Sequence, residues 1–156
     1  IGEHGLWWKN CMYEHAARIP LIVSWPGRWD QGRREGRACS SVDTVRTIVD
    51  LAGGEAPGFD GDSLAPILDD PSGEWKDRAV SQYYGHNIAS GFAMIRQGQW
   101  KYVSHASPGE FTNLADAPDQ QDRIARMHEA LVAEIGETPD DTEQTCRDEL
   151  ANGYGR

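Results

Sequence analysis

Residues 92–105 read FAMIRQGQWKYVSH, and the period of this stretch decides the fold class. From residue 79 onward the apolar spacing moves toward two, the repeat of a strand whose side chains point alternately to opposite faces. Residues 92–97 and 99–105 therefore read as strands, with Gln97-Gly98-Gln99 as the tight hairpin between them. A preceding strand spans 79–84 (AVSQYY), and FTNL at 111–114 offers a further short one. Residues 119–135 switch to a helical period, placing Ile124, Met127, Leu131 and Ile135 on one face. An antiparallel meander packed by a helix is the expected result.

Moving toward the N-terminus, residues 69–77 read as a polar loop, and FDGDSLAPIL at 59–68 as a turn centred on Gly61 before a brief apolar segment. A helix is clearest from Ser40, where Ser40 and Asp43 fit the S-x-x-[DE] start pattern with Asp in place of Glu. Val42, Val45, Ile48, Val49 and Ala52 recur at three and four, and Gly53-Gly54 stops the helix. Residues 27–37 form a glycine-rich loop whose four arginines, Arg28, Arg33, Arg34 and Arg37, read as a solvated charged surface. LIVSW at 21–25, closed by Pro26-Gly27, has the pattern of a buried strand, and EHAAR at 14–18 that of one helical turn, with Glu14 and Arg18 paired or tying it to the sheet. After Gly136 the chain is acidic and nearly free of large apolar residues, which predicts a flexible tail.

The chain has 156 residues, with 25 acidic and 15 basic side chains and a formal charge of −10. That balance argues against nucleic acid and against an anionic membrane, since a phosphate backbone needs a basic face. No run is long and apolar enough to span a membrane. Cys11, Cys39 and Cys146 are odd in number and widely spaced, which supports neither a zinc ribbon nor a disulfide framework. Composition leaves the compartment open.

Several motifs, taken in order, resemble the C-terminal part of the type I sulfatases of the alkaline-phosphatase-like superfamily. They are GEHGLWWK (2–9), MYEHAARIPLIVSWPG (12–27), SSVDTVRTIVDLAG (40–53), FDGDSLAPIL (59–68), MIRQGQWKYV (94–103) and EFTNLADAPDQ (110–120). Arg46 stands where that family usually has proline. The resemblance covers residues 1–135 and implies an α/β fold: residues 1–68 as the end of the main sulfatase domain, 69–136 as a small antiparallel sheet plus helix, and 137–156 as the acidic tail.

The same resemblance implies a sulfuric ester hydrolase that uses calcium and a formylglycine nucleophile. None of Cys11, Cys39 and Cys146 is followed by proline two residues later, so none opens the family's nucleophile motif Cys/Ser-x-Pro-x-Arg, and the family's metal-binding Asp-His or Asp-Asn pair would fall before Gly2. The resemblance therefore places the nucleophile and metal ligands on a missing N-terminal portion, the expected partner of this chain, and leaves no metal ligand here. It implies that Lys9 reaches the sulfate group or the bridging ester oxygen. A fixed ammonium there stabilises the charge that moves onto the leaving oxygen as the S–O bond breaks.

Other residues in these stretches have plainer readings. Trp7 and Trp8 read as packing that shapes the loop, and His4 as structural rather than as a ligand. In Tyr83-Tyr84-Gly85-His86-Asn87, His86 is the candidate for contact with substrate, with a hydrogen-bonded surface histidine as the alternative. The expected ligand is a sulfate-ester small molecule or sulfated sugar. The rival readings are a phosphonate or phosphate ester hydrolase of the same superfamily and a non-catalytic remnant that binds sulfated glycans.

Overall fold

The structure, a computed structural model, describes residues 5, 9–85, 91–105 and 118–152. These fall into two compact units: residues 1–19, 80–96 and 100–156 form one, and residues 20–79 with 97–99 the other.

The first unit is built on a three-stranded antiparallel sheet, β1 Arg78–Tyr83, β2 Phe92–Gln97 and β3 Trp100–His105, in the order β1-β2-β3. The β2–β3 turn is Gly98-Gln99, with Gly98 at φ +54° and Gln99 outside the left-handed region, as a two-residue turn with glycine first requires. The central strand is buried on both faces because its alternate residues meet different partners. Ala93 and Ile95 pack with Met127 and Leu131 of helix α4 (Gln121–Ile135), while Phe92 and Met94 pack with Met12 from the N-terminal segment. The apolar face expected for α4 is the face that is buried, and Gly136 ends the helix in the left-handed conformation (φ +82°).

Beyond Gly136 the structure departs from the sequence reading. Residues expected to be a loose tail form helix α5 (Pro139–Ala151). The Thr138 hydroxyl accepts a hydrogen bond from the Asp141 amide, Pro139 occupies the first turn, and Asp140 and Asp141 lie at its positive end. Caps and helix polarity compensate for the scarcity of apolar residues that suggested disorder.

The second unit contains helix α2 (Ser41–Leu51) and the short helix α3 (Ala65–Asp69). The start pattern at Ser40 is used as expected: its amide and hydroxyl both donate to Asp43 Oδ2, at 2.8 and 3.1 Å. Gly61 is required because the turn runs against the start of α2, where a Cβ would fall on the Val42 carbonyl. Two expectations fail in this unit. Residues 21–25 do not form a strand, and all five are exposed. The arginine loop is not simply a solvated charged surface: three of its four arginines are committed to partners, Arg28 while still exposed and Arg33 and Arg37 part-buried. Arg28 forms a bidentate pair with Asp69 (2.8 and 3.0 Å), Arg33 donates to the Ile67 and Leu68 carbonyls, and Arg37 reaches Glu35 and the Gly73 and Pro71 carbonyls. A guanidinium carries five donors in a rigid fork, so it can staple a loop to a helix end that offers free carbonyls.

Candidate functional site

Lys9 begins the segment that Met12 fixes to the sheet. Met12 is buried against Phe92 and Met94, with Ala17, Tyr83 and Val103 around them. Two residues on, Glu14 opens the short helix α1 (Glu14–Ala17) and accepts a 2.6 Å hydrogen bond from Lys101 Nζ of β3. Hydrogen bonding to Lys101 lowers the Glu14 pKa from its ordinary value. Arg18 lies 3.9 Å from the same carboxylate, so both expected ties of Glu14 form, with the sheet contact the shorter. Lys9 itself is exposed and has no hydrogen-bond or ion-pair partner among the described residues. An ammonium on an anchored backbone that no described carboxylate pairs with is a cation available to an anion.

The hairpin sequence Trp100-Lys101-Tyr102 explains how the anchor is built. Side chains of a strand alternate faces. Trp100 lies under the guanidinium of Arg123 (3.7 Å to the ring centroid), and the Tyr102 hydroxyl is 3.0 Å from His128 Nδ1, so both grip α4. Lys101, between them, points to the other face and holds Glu14. One strand thus fastens the covering helix on one side and the Lys9 segment on the other.

The second nominated stretch leaves the same sheet. Tyr83 stacks on Phe92 at 5.5 Å between centroids, and Phe92 also meets His105 at 5.5 Å. His86 and Asn87 lie outside the described residues, as do His4, Trp7 and Trp8. The stems on either side of 86–90 are held by α5. The Tyr84 hydroxyl donates to the Pro139 carbonyl at 3.3 Å, and the Gly91 amide donates to Glu143 at 2.8 Å. Gly91 has no room for a side chain, because a Cβ would meet Tyr84 and Glu143. Sequence reading missed this role of the tail. The one signal for it was Thr-Pro-Asp-Asp at 138–141, a helix start.

A buried ionic cluster in the second unit was also missed. Asp43 is 0% exposed and accepts from Ser40, from the Asp62 amide (2.9 Å) and from Lys76 Nζ (2.7 Å), which also lies 2.9 Å from Asp62. Burial would raise the Asp43 pKa, but these donors outweigh it and hold it below its ordinary value. Lys76 is correspondingly raised, its two aspartates overcoming the opposing effect of burial. Asp43 and Asp62 share the one ammonium of Lys76, and Asp43 is the buried partner, Asp62 being 65% exposed. Among the described residues, no group of three or more His, Cys, Asp or Glu side chains is placed to hold a metal ion.

Comparison with known proteins agrees with this architecture. Residues 2–137 match the family described as N-sulphoglucosamine sulphohydrolase, C-terminal. The chain is 32% identical to a choline-sulfatase of Rhizobium meliloti over 133 residues, covering 76% of this chain and 25% of the relative. It is 30% identical to arylsulfatase K of Danio rerio, covering 79% and 25%. It is 26% identical to an N-acetylglucosamine-6-O-sulfatase of Bacteroides thetaiotaomicron, covering 93% and 30%. The chain thus spans about a quarter of the length of the curated relatives it matches. The helices, the small antiparallel sheet and the matched residues together identify the chain as a member of the N-sulphoglucosamine sulphohydrolase C-terminal family, a C-terminal sulfatase part.

Proposed function

We propose that this chain is the C-terminal portion of a sulfatase that hydrolyses sulfate esters, and that it contributes Lys9 to the catalytic centre. The observation that carries the reading is the Lys9 segment: it lies within the family match, Met12 and the Glu14–Lys101 pair anchor it, and its cation is uncommitted among the described residues. An ammonium held beside the bridging oxygen of a sulfate ester favours the transition state over the ground state, because negative charge moves onto that oxygen as the S–O bond lengthens. The His86 stretch, whose stems α5 and β2 hold, would border the same substrate.

The resemblance also brings a calcium ion and a formylglycine nucleophile. Neither fits the described residues: no cluster there suits a metal, none of the three cysteines opens a Cys-x-Pro-x-Arg pentad, and the serine match, Ser24 to Arg28, has its arginine committed to Asp69. Both are therefore assigned to polypeptide outside this chain, and the chain by itself would be inactive. The test begins with the reading frame upstream of Ile1, which should encode the pentad and an Asp-His or Asp-Asn pair just before Gly2. The polypeptide it encodes should hydrolyse an aryl sulfate, and Lys9→Ala should reduce its turnover by about 10²–10³-fold, the scale of losing one transition-state donor. Absence of both upstream motifs would end the sulfatase reading, and unchanged turnover in Lys9→Ala would remove Lys9 from the chemistry.

A further inference from the structure

Helix α5 lies beyond residues 2–137, the part that the family description matches, yet it packs on the sheet that anchors Lys9. Pro139 is buried and Thr142, Glu143 and Cys146 are half-buried, a spacing that puts all four on one face of the helix. On that face Glu143 stands out, with its side chain only 15% exposed. Its two oxygens have separate partners. Oε1 meets Arg147 one turn on at 2.5 Å, and Oε2 accepts the Gly91 amide at 2.8 Å. A charged acceptor makes a stronger bond than a neutral one, and a carboxylate held by its own arginine is a fixed point. Tyr84 follows β1 and Gly91 precedes β2. The Tyr84 ring and Glu143 both lie where a Gly91 Cβ would stand, and the Tyr84 hydroxyl donates to the Pro139 carbonyl. The two ends of the β1–β2 connection are therefore brought together at α5.

Lys9 belongs to the same end of the sheet. Phe92 meets His105 there, while the Gly98-Gln99 turn closes the opposite end. Met12 packs at Phe92 and Met94, and Glu14 reaches Lys101 beside the turn. The segment thus runs toward the turn as its numbering rises. Lys9, standing before Met12, precedes the Phe92 end, where Tyr84 and Gly91 also lie.

We infer, resting on the sulfatase reading, that Glu143 is a positioning residue for the organic group of the sulfate ester. Through the Gly91 amide it sets the β1–β2 connection beside a sulfate held at Lys9. The class of that organic group follows from charge. Asp140, Asp141 and Glu143 outnumber Arg147 on the half of α5 that touches the connection, which repels a second anion and suits a neutral or cationic alcohol part. Glu143 touches no reacting atom in this scheme. It contributes to binding of the ester and not to cleavage of the S–O bond.

Steady-state kinetics on the full polypeptide of the reading frame test this. Nitrophenyl sulfate serves as the ester, and inorganic sulfate as an inhibitor that carries the sulfate group alone. Glu143→Ala should raise KM for the ester by about tenfold, with kcat and the inhibition constant of inorganic sulfate within about twofold of the parent. Glu143→Gln keeps an acceptor oxygen for the Gly91 amide and should recover most of the loss, which a general loss of stability would not allow. Tyr84→Phe, a milder change that removes the second tie to α5 and keeps the ring, should shift KM in the same direction; it carries the prediction if Glu143→Ala does not fold. An inhibition constant that rises in step with KM overturns the inference, as does a Gln variant no better than Ala. Turnover by the parent polypeptide with an unchanged KM in Glu143→Ala removes the positioning role and spares the sulfatase reading. A parent polypeptide that neither hydrolyses the ester nor binds inorganic sulfate ends the sulfatase reading and the inference with it.

Discussion

The two units of this chain are stabilised by opposite means. In the sheet unit, β2 buries alternate residues against Leu131 and Met127 on one side and Met12 on the other, an apolar sandwich with polar ties at its margins. In the unit of residues 20–79, α2 turns Asp43 and Thr47 inward. Asp43 gathers Ser40, Asp62 and Lys76, and the Thr47 hydroxyl donates to the Asp43 carbonyl at 2.6 Å while accepting the Leu64 amide at 2.8 Å. Apolar burial is tolerant of small shifts, whereas a buried carboxylate needs every donor in place. The first arrangement suits a scaffold that aims a side chain. The second leaves Val42, Val45 and Ile48 of α2 exposed among the described residues.

The contrast breaks most sharply at Lys76. Lys76→Met leaves Asp43 buried without its cation, at a cost of about 3–5 kcal/mol. Hydrogen exchange at the α2 amides should report nearly all of that loss, and the β2 amides little of it. Equal loss in both units would mean that they unfold as one. The pH dependence has a defined sign. The Asp43 pKa is lowered on folding, so its contribution is present above the ordinary aspartate value of about 3.9 and is lost as pH falls through the folded value below it. The Lys76 pKa is raised, so its contribution is present below about 10.4 and is lost as pH rises through the folded value above it. Exchange at α2 should therefore accelerate at both extremes, while exchange at Ala93 and Ile95 follows far less.

Leu131→Ala is the complementary lesion. Leu131 is 0% exposed and packs on Ala93 and Ile95, so its truncation should cost about 2–5 kcal/mol, read at the β2 and α4 amides and sparing α2. Gly61→Ala comes next. Its Cβ would meet backbone atoms of Val42 and Asp43, which cannot step aside as a side chain can, and about 1–3 kcal/mol should be lost from the second unit alone. A loss below 0.5 kcal/mol, by urea titration followed at α2, would show that the turn yields.

The two units also differ in how far sequence alone exposes them. The period-two run at 92–105 and the face formed by Ile124, Met127, Leu131 and Ile135 set the sheet and its helix, because local period and burial agree there. In α2 the same rule finds the helix and assigns the wrong face to the interior of this unit. Val42, Val45 and Ile48 look like a core, and nothing local shows that Asp43 has Lys76 as a partner 33 residues away. The run LIVSW has a strand's composition, but a strand is defined by its neighbour, and none is present among the described residues. Lys9 was legible as a candidate through motif order. The means of holding it, Met12 on β2 and Lys101 on Glu14, depends on tertiary contacts. The helix from Pro139 was hidden by its acidity, since caps rather than apolar residues define it.

The smallest predicted effect lies where the scaffold meets the proposed site. Lys101→Met removes the cation from Glu14, which remains half exposed at 51% and can be hydrated, so stability should fall by no more than about 1 kcal/mol. Its consequence for geometry should be larger than its consequence for stability. Glu14 and Met12 both fix the backbone after Lys9, and loosening one lets the ammonium wander from the position proposed for transition-state stabilisation. In the full polypeptide, Lys101→Met should lower kcat by about tenfold, with thermal stability nearly unchanged. Because Lys101 acts through Glu14, Lys101→Arg should recover most of that loss, whereas Lys9→Arg should not, since a planar guanidinium does not present charge as a compact ammonium does. Equal rescue at both positions would contradict the division between an anchoring cation on β3 and a reacting cation at Lys9.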